Sequence, residues 1–480
     1  MYNLNQIDLG NDEAEQDTRL EEYFLRTPFY KNARTGSKTL VIGRKGSGKS
    51  AIFILIDKEI RHTGNIVITI TPDQYSWSAL KDYTESGILP EQANTNAWRL
   101  TLLSAIVWHL KEENLINGKS KLTSYFKYMN DAYIPKQETW FLNLIEKGKR
   151  LLSGIKTEWV SFDFGETSSV STPLRIVDEI QALLKKEWPT GKVIRVLIDR
   201  LDDSWDASPA SISAIIGLLK AANLINGALA GKVVVSIFLR SDIYDNLFFD
   251  DQDKLRQYEE LILWSQEDLK AIVAERIRVS LKLPLGTSTA DIWSNLFSSK
   301  IYRSKASADK YIIDRTFKRP RDMISFVRFA LEQAIKNKHS VIEPEDTRLA
   351  EEEKYSQSKF KDIVIENQKQ FPYVKNLLDS LSGSLHQISS EDLRERIALF
   401  INQHELKEEI TSILRLLFVW GVIGIKKQGR AGVKHRGGAH FFYYYDDPSI
   451  NPLAERTFFI HPALRHYLNI SEKRKKRSKA

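Results

Sequence analysis

Two apolar runs near the N-terminus of the chain predict strands on either side of a helix. Residues 39–42 are rich in β-branched side chains and end at Gly43, and residues 65–71 alternate such side chains before Pro72. Between them, residues 51–60 are mostly apolar, and no helix breaker occurs before Gly64. Strand, helix and strand in this order predict a βαβ unit with parallel strands and a right-handed crossover.

Further apolar segments extend this unit. Residues 193–198 and 233–239 have the composition of buried strands, whereas residues 97–110 and 211–219 have helical spacing. We therefore expect an α/β core over residues 36–264, with a parallel sheet sandwiched by helices. Weaker periodicity at about residues 117–175 predicts a helical insertion in that core.

The pattern changes twice after residue 264. Residues 265–346 are helical in pattern, beginning at Ser265 with acidic residues in the first turn, and we expect them to form a helical lid. Residues 347–470 contain helical stretches, a short β-branched strand, a Gly- and Arg-rich loop and an aromatic strand. This order predicts a C-terminal winged-helix domain. Residues 1–35 form a polar, acidic N-terminal segment, and residues 471–480 form a basic tail.

Composition narrows the possible functions. The 480 residues are 42% apolar and include no cysteine, which excludes disulfides and cysteine-bound zinc or iron–sulfur sites. No run of eighteen apolar residues and no signal peptide is visible, so we expect a cytoplasmic protein with no membrane partner. The net charge of +8 includes +5 from the last ten residues, so the remaining chain is close to neutral.

The segment from Gly43 to Ser50 matches the phosphate-binding loop pattern. Its strand and helix context is also correct for such a loop. Backbone N–H groups would surround the phosphates of ATP, Lys49 would contribute a positive charge during catalysis, and Ser50 would bind Mg²⁺. The residues predicted to bind nucleotide here are Gly43, Arg44, Lys45, Gly46, Ser47, Gly48, Lys49 and Ser50.

A second half-site is expected at the end of the strand at residues 193–198. Asp199 follows this strand, and we predict that it holds Mg²⁺ together with Ser50. The next residue is Arg200, so the common Asp-Glu pair is missing. Asp202 or Asp203 is the candidate general base, and the sequence does not choose between them. The alternative is that both only cap the helix near Pro209.

Three arginines are further candidates. Arg240 ends the strand at residues 233–239, where it either senses the γ-phosphate during catalysis or forms an ion pair with Asp242 or Asp245. Arg319 and Arg321 flank Pro320 at the start of a helix in the lid, from which either could contact the nucleotide. Such a contact would differ between ATP and ADP and would report hydrolysis.

The combination of Gly43 to Ser50, Asp199 to Asp203, Arg240 and Arg319 to Asp322 resembles the STAND/KAP-like branch of AAA+-related ATPases. Origin-recognition-like ATPases, with a helical lid and a C-terminal winged helix, are similar in layout. The resemblance implies an ATP- and Mg²⁺-dependent ATPase that acts as a regulatory switch in prokaryotic anti-phage defence. It also implies homo-oligomers and a protein partner that supplies the trigger or the effector.

Other functions remain open on the sequence. A DNA-associated loader or motor would use the basic loop at residues 426–436 and the basic tail to contact nucleic acid. A small-molecule kinase would share the phosphate loop but would leave the winged helix without a role. Arg200, Lys254 and Arg256 are candidates for an arginine that a neighbouring subunit supplies in trans. We favour the switch, followed by the DNA-associated ATPase.

Overall fold

A computed structural model describes residues 2–71, 90–123, 172–189, 191–203, 205–300, 302, 306–427 and 440–471. Most of the predicted insertion, the middle of the predicted wing loop and nearly all of the basic tail lie outside these residues. The chain divides into two compact units, a sheet unit of residues 13–16 and 26–263 and a C-terminal unit of residues 1–12, 17–25 and 264–480. The first helix, α1 Leu20–Tyr23, belongs to the C-terminal unit.

The sheet unit is built on a five-stranded parallel sheet in the order β2-β3-β4-β1-β5. Its elements are α2 Pro28–Thr35, β1 Leu40–Gly43, α3 Lys49–His62, β2 Ile66–Ile70, α4 Pro90–Glu112, α5 Thr172–Lys186, β3 Ile194–Ile198, α6 Pro209–Ala228, β4 Val233–Arg240, α7 Ser241–Tyr244, α8 Gln252–Leu255 and β5 Glu259–Leu261. The predicted strands and helices of the βαβ unit and of the following core are confirmed.

Alternate residues of the strands face two different layers of helices. Ile42, Ile198 and Ile237 belong to one buried cluster with residues of α4, α5 and α6. Phe238, the next residue in β4, packs its ring against Phe53 of α3 instead, with the ring centroids 5.6 Å apart. Because both faces are covered, these strands are mostly apolar on both sides rather than on one. The expected sheet sandwiched by helices is confirmed.

Helix α6 is the most apolar helix of this unit. It is the one helix among the described residues that is long and apolar enough to cross a membrane by length and composition. Its Ile215 and Leu218 are completely buried, and the indole N–H of Trp98 in α4 donates to the carbonyl of Ala214 at 3.0 Å. At Gly217, an added Cβ would clash with the backbone and side chain of Asn94. Close packing against α4 therefore explains the composition of α6.

The C-terminal unit begins with helices. They are α9 Gln266–Ser280, α10 Thr289–Leu296, α11 Ala308–Ile313, α12 Pro320–Lys336, α13 Pro344–Ala350, α14 Ser356–Asn367 and α15 Val374–Asp379. The predicted start at Ser265 is confirmed, because Ser265 and Asp268 cap α9 reciprocally. Residues 1–12 pack with these helices, and Leu4 and Leu9 are buried in the same apolar cluster.

The remaining elements have winged-helix topology. They are β6 Gln387–Ser389, α16 Ser390–Gln403, α17 Ile410–Val419, β7 Ile423–Lys427, β8 His440–Phe442 and β9 Thr457–Ile460. The strands form an antiparallel sheet in the order β6-β9-β7-β8, so two helices and a sheet with a hairpin follow each other as predicted. The helical and winged parts belong to one unit, and their division at residue 346 stays a prediction.

Candidate nucleotide site

The loop between β1 and α3 has the backbone geometry that a phosphate-binding loop needs. Gly46 and Gly48 have φ angles of 77° and 95°, in the left-handed region that side chains disfavour. Gly43 lies so close to Ser47 and Ile262 that a Cβ at this position would collide with the Ser47 hydroxyl. The left-handed φ angles therefore require glycine at positions 46 and 48, and the lack of space for a Cβ requires it at position 43. The loop leads directly into the N-terminus of α3, whose N–H groups favour anions.

Lys49 is the first residue of α3, and its side chain folds back over the loop. Its Nζ donates to the carbonyl oxygens of Gly43 and Arg44 at 2.9 and 3.1 Å. Burial lowers the pKa of Lys49, while the nearby carboxylates of Asp199 and Asp202 act in the opposite direction. The ammonium group is therefore held inside the loop, between the phosphate-loop backbone and two acids.

Ser50 and Asp199 meet across the ends of α3 and β3. The Ser50 hydroxyl donates to Oδ2 of Asp199 at 3.1 Å, and the Asp199 side chain is almost fully buried. Burial raises the pKa of Asp199. The charge of Lys49 and the hydrogen bonds from the backbone N–H of Arg200 and from Ser50 lower it, but by less. A hydroxyl and a carboxylate at this distance are oxygen donors of the kind Mg²⁺ prefers, so the two predicted metal ligands fit that ion chemically.

The structure distinguishes the two candidate bases. Asp202 is partly buried and lies 3.3 Å from Nη1 of Arg240. Burial raises the pKa of Asp202, but the positive charges of Arg240 and Lys49 outweigh it and the pKa is lowered. Asp203 is exposed in the same turn, where its backbone N–H donates to the carbonyl of Arg200 at 3.4 Å. Of the two, Asp202 is thus the one coupled to the phosphate loop.

Arg240 lies beside the phosphate loop because β4 pairs with β1. In this register Arg240 is directly opposite Gly43. Its guanidinium binds Asp242 through Nη2 and Nε, at 2.6 and 2.9 Å, and reaches Asp202 as well. The ion pair with Asp242 that the sequence offered as an alternative is therefore present, and the same guanidinium contacts the candidate base. Its role as a nucleotide sensor stays a prediction.

One residue of the site carries no sequence motif. Glu15, in a short 3-10 helix formed by Ala14–Gln16, packs with the sheet unit, against α3. Its Oε1 accepts a hydrogen bond from Arg200 at 3.0 Å, and its carboxylate also interacts with Ser50. Arg200 itself has a left-handed backbone with φ of 62°. The acidic run at residues 11–15 is the one feature of the sequence that could have indicated this role, and it is equally typical of a solvated N-terminus.

Arg319 and Arg321 lie at the start of α12 in the C-terminal unit. Arg319 is buried, with Nε donating to Asp322 at 2.9 Å and Nη1 lying 3.3 Å from Glu366. The pKa of Arg319 is raised, because Asp322 and Glu366 outweigh the effect of burial. Arg321 is partly buried in the first turn of the same helix. Contact of either residue with a nucleotide stays a prediction.

The other candidates have these positions. Lys254 is exposed and pairs with Asp251 at 2.8 Å, and Arg256 is exposed in the turn before β5. Among the described residues, no group of three or more histidine and acidic side chains could by itself hold a metal ion. The loop at residues 428–436, the tail at residues 472–480 and the insertion at residues 124–171 lie outside the described residues.

Both compact units of the chain are similar in sequence to known proteins. Residues 267–364 match the family described as FunZ-associated C-terminal helical domain. The chain is 25% identical over 484 residues to the putative transposon gamma-delta 80.3 kDa protein of Escherichia coli K12, a match that spans 96% of this chain and 67% of that protein.

Solved structures of origin-recognition proteins are similar at a lower level. The Aeropyrum pernix ORC1 protein in complex with DNA covers 86% of both chains, with 12% identity and a TM-score of 0.36. The Aeropyrum pernix ORC2 protein, in ADPNP–ADP complexes, has 13% identity and a TM-score of 0.38, and the match covers 86% of this chain and 91% of that one.

Proposed function

We propose that this protein binds and hydrolyses ATP in a Mg²⁺-dependent manner. One observation carries the proposal. A glycine-rich loop holds Lys49 inside it and brings Ser50 to 3.1 Å from Asp199, at the end of a neighbouring buried strand. A lysine, a hydroxyl and a carboxylate in this arrangement are the parts that phosphoryl transfer from a nucleoside triphosphate requires.

The roles of the residues follow from their positions. The backbone of Gly43 to Ser50 and the Lys49 ammonium bind the phosphates, and Ser50 and Asp199 hold Mg²⁺. The bound ion would neutralise charge on the phosphate oxygens. Asp202 orients and deprotonates the attacking water, since its lowered pKa keeps it ionised at neutral pH. Arg240, which touches Asp202, links that carboxylate to the phosphate loop.

We propose further that hydrolysis drives a regulatory switch rather than continuous turnover. In this proposal Arg319 and Arg321 contact the nucleotide in one state only, and ATP promotes a homo-oligomer that engages a protein partner. The resemblance to STAND/KAP-like ATPases supports a role in prokaryotic anti-phage defence, with the partner as effector. Affinity purification with and without ATP, followed by mass measurement of the assembly, tests this part. Partner binding that is independent of nucleotide would contradict it.

Lys49→Ala tests the ATPase proposal directly. We expect this variant to lose at least about 100-fold in nucleotide affinity or turnover, because it removes the ammonium group that the loop holds in place. Calorimetric titration with ATP and release of phosphate are the measurements. Lys58→Ala is the matched control, since it removes an exposed lysine of α3 and keeps Lys49. Wild-type protein that fails to bind ATP in the presence of Mg²⁺ would refute the proposal.

A DNA-associated ATPase is the second candidate, favoured by the winged-helix topology and by the similarity to the putative transposon gamma-delta protein. The charge around α17 favours the switch instead. The segment before this helix carries Glu405, Glu408 and Glu409 against Lys407, and Arg415 is an exposed cation within the helix. A DNA-binding helix would present several cations to phosphates. DNA that stimulates the ATPase, with binding that falls steeply with salt, would favour the DNA-associated function.

A further inference from the structure

Position 200 is where this chain departs from the common Asp-Glu pair, and the structure brings a different carboxylate to it. Arg200 follows the metal-site aspartate directly, and its guanidinium donates to Oε1 of Glu15 at 3.0 Å. Glu15 is 185 positions away in the sequence. The N-terminal segment thus places a carboxylate beside the same strand end.

The Ser50 hydroxyl interacts with two acids. It donates to Asp199 at 3.1 Å, and the 3-10 helix that carries Glu15 packs against α3, where the Glu15 carboxylate also interacts with Ser50. A hydroxyl has one proton to donate, so it can satisfy only one of two carboxylates at a time. A divalent cation bound by Ser50 and Asp199 would replace the hydrogen bond between them and leave the Ser50 proton for Glu15.

Stability alone does not account for the Glu15–Arg200 pair. About half of the Arg200 side chain and two fifths of the Glu15 side chain are exposed, with fractions of 49% and 39%. Ion pairs with this exposure contribute little to folding. The hydrogen bond from Arg200 instead holds the Glu15 carboxylate at a fixed position beside the end of β3.

We propose that Glu15 is a positioning residue of the cation site, a carboxylate that Arg200 holds in place and that orients the Ser50 hydroxyl toward the cation. The inference rests on the proposed Mg²⁺-dependent ATPase. It assigns to residues 13–16 a function in the nucleotide site, in place of the solvated N-terminus that the sequence suggests. Carboxylates that orient metal ligands typically change metal affinity by about 10- to 100-fold when they are removed.

The experiment is a Mg²⁺ titration of the full chain at a fixed concentration of a non-hydrolysable ATP analogue. The readout is the rise in melting temperature that the bound nucleotide causes. We expect Glu15→Gln to need about 10-fold more Mg²⁺ for a half-maximal rise, with nucleotide binding in EDTA unchanged. Glu15→Asp should recover part of the effect, and Arg200→Gln should shift the midpoint in the same direction. Glu22→Gln, which removes a mostly exposed carboxylate of the N-terminal segment, is the matched control.

The outcomes separate this inference from the proposed function. If wild-type protein shows no Mg²⁺-dependent nucleotide binding, the ATPase proposal fails and this inference fails with it. If the wild-type protein responds but Glu15→Gln has the same Mg²⁺ midpoint, only the role of Glu15 is overturned. A lower midpoint in Glu15→Gln would also overturn it, because Glu15 would then compete with the cation for Ser50. If Glu15→Gln without ligand melts well below wild type, Glu15→Asp decides instead. Its Mg²⁺ midpoint must then lie between those of wild type and Glu15→Gln.

Discussion

Ser50 donates a hydrogen bond to Asp199 at 3.1 Å, although 149 positions separate the two residues in the chain. Ser50 lies in the first turn of α3, within the phosphate loop motif, and Asp199 directly follows β3. The strand between β1 and β3 in the sheet is β4, which ends in Arg240. The three strand ends therefore bring a loop, an acid and a cation to the same edge of a parallel sheet, where ligands of open α/β sheets bind.

The first prediction separates Asp202 from Asp203. Asp202→Asn should lower kcat by about 100-fold with little change in KM, because a general base contributes at least this much to the rate. Asp203→Asn, the matched control in the same turn, should hydrolyse ATP at nearly the wild-type rate. Steady-state ATPase assays with both variants decide between the two aspartates. Equal rates for Asp202→Asn and wild type would remove Asp202 as the base.

The second prediction concerns the pH dependence of hydrolysis. Asp202 must be ionised to accept a proton, and Arg240 is the largest of the influences that lower its pKa. Arg240→Ala should therefore raise that pKa and move the acid limb of the kcat profile upward by about one pH unit. Asp242→Asn keeps the Arg240 charge and should not move the limb upward. An unchanged limb in Arg240→Ala would show that the two side chains are not coupled in the working enzyme.

The third prediction concerns a buried ionic cluster in the C-terminal unit. Lys359 of α14 is 1% exposed and donates to Asp322 of α12 at 2.8 Å. Lys359→Met leaves Asp322 short of a partner and should lower the free energy of unfolding by about 3 kcal/mol. Lys361→Met, at an exposed position of the same helix, should stay within about 0.5 kcal/mol of wild type. Denaturant unfolding measures both, and equal stability of the two variants would contradict the cluster's importance.

The fourth prediction is the acid sensitivity of the same cluster. Burial raises the pKa of Asp322, but Arg319 and Lys359 outweigh it and hold the pKa well below its ordinary value. A carboxylate with a lowered folded-state pKa contributes stability above its unfolded value of about 3.9 and loses it as the pH falls further. Unfolding of the C-terminal unit should therefore become easier below about pH 4. In Asp322→Asn this part of the pH dependence should be absent, and an unchanged acid transition would contradict the assignment.

Much of the fold follows from local pattern. The β-branched runs that become β1 to β4 and the capped start of α9 depend on neighbours in the sequence, so periodicity and turn residues predict them. β5 was not predicted, because Glu259 and Glu260 make up two of its three residues. It is a strand because it pairs with the edge of β1, with Val41 opposite Glu260. Edge pairing of this kind depends on the partner strand rather than on the strand's own composition.

The candidate site divides in the same way. The sequence alone determined the phosphate loop, because glycine spacing and a following Lys-Ser specify its conformation and charge within eight consecutive positions. It also identified Asp199 as the end of a buried strand. Only the tertiary structure decided that Asp202 rather than Asp203 meets Arg240, and that Glu15 reaches Arg200. These pairings depend on strand order and on the path of the N-terminal segment, which are set by long-range packing and leave no local pattern in the chain.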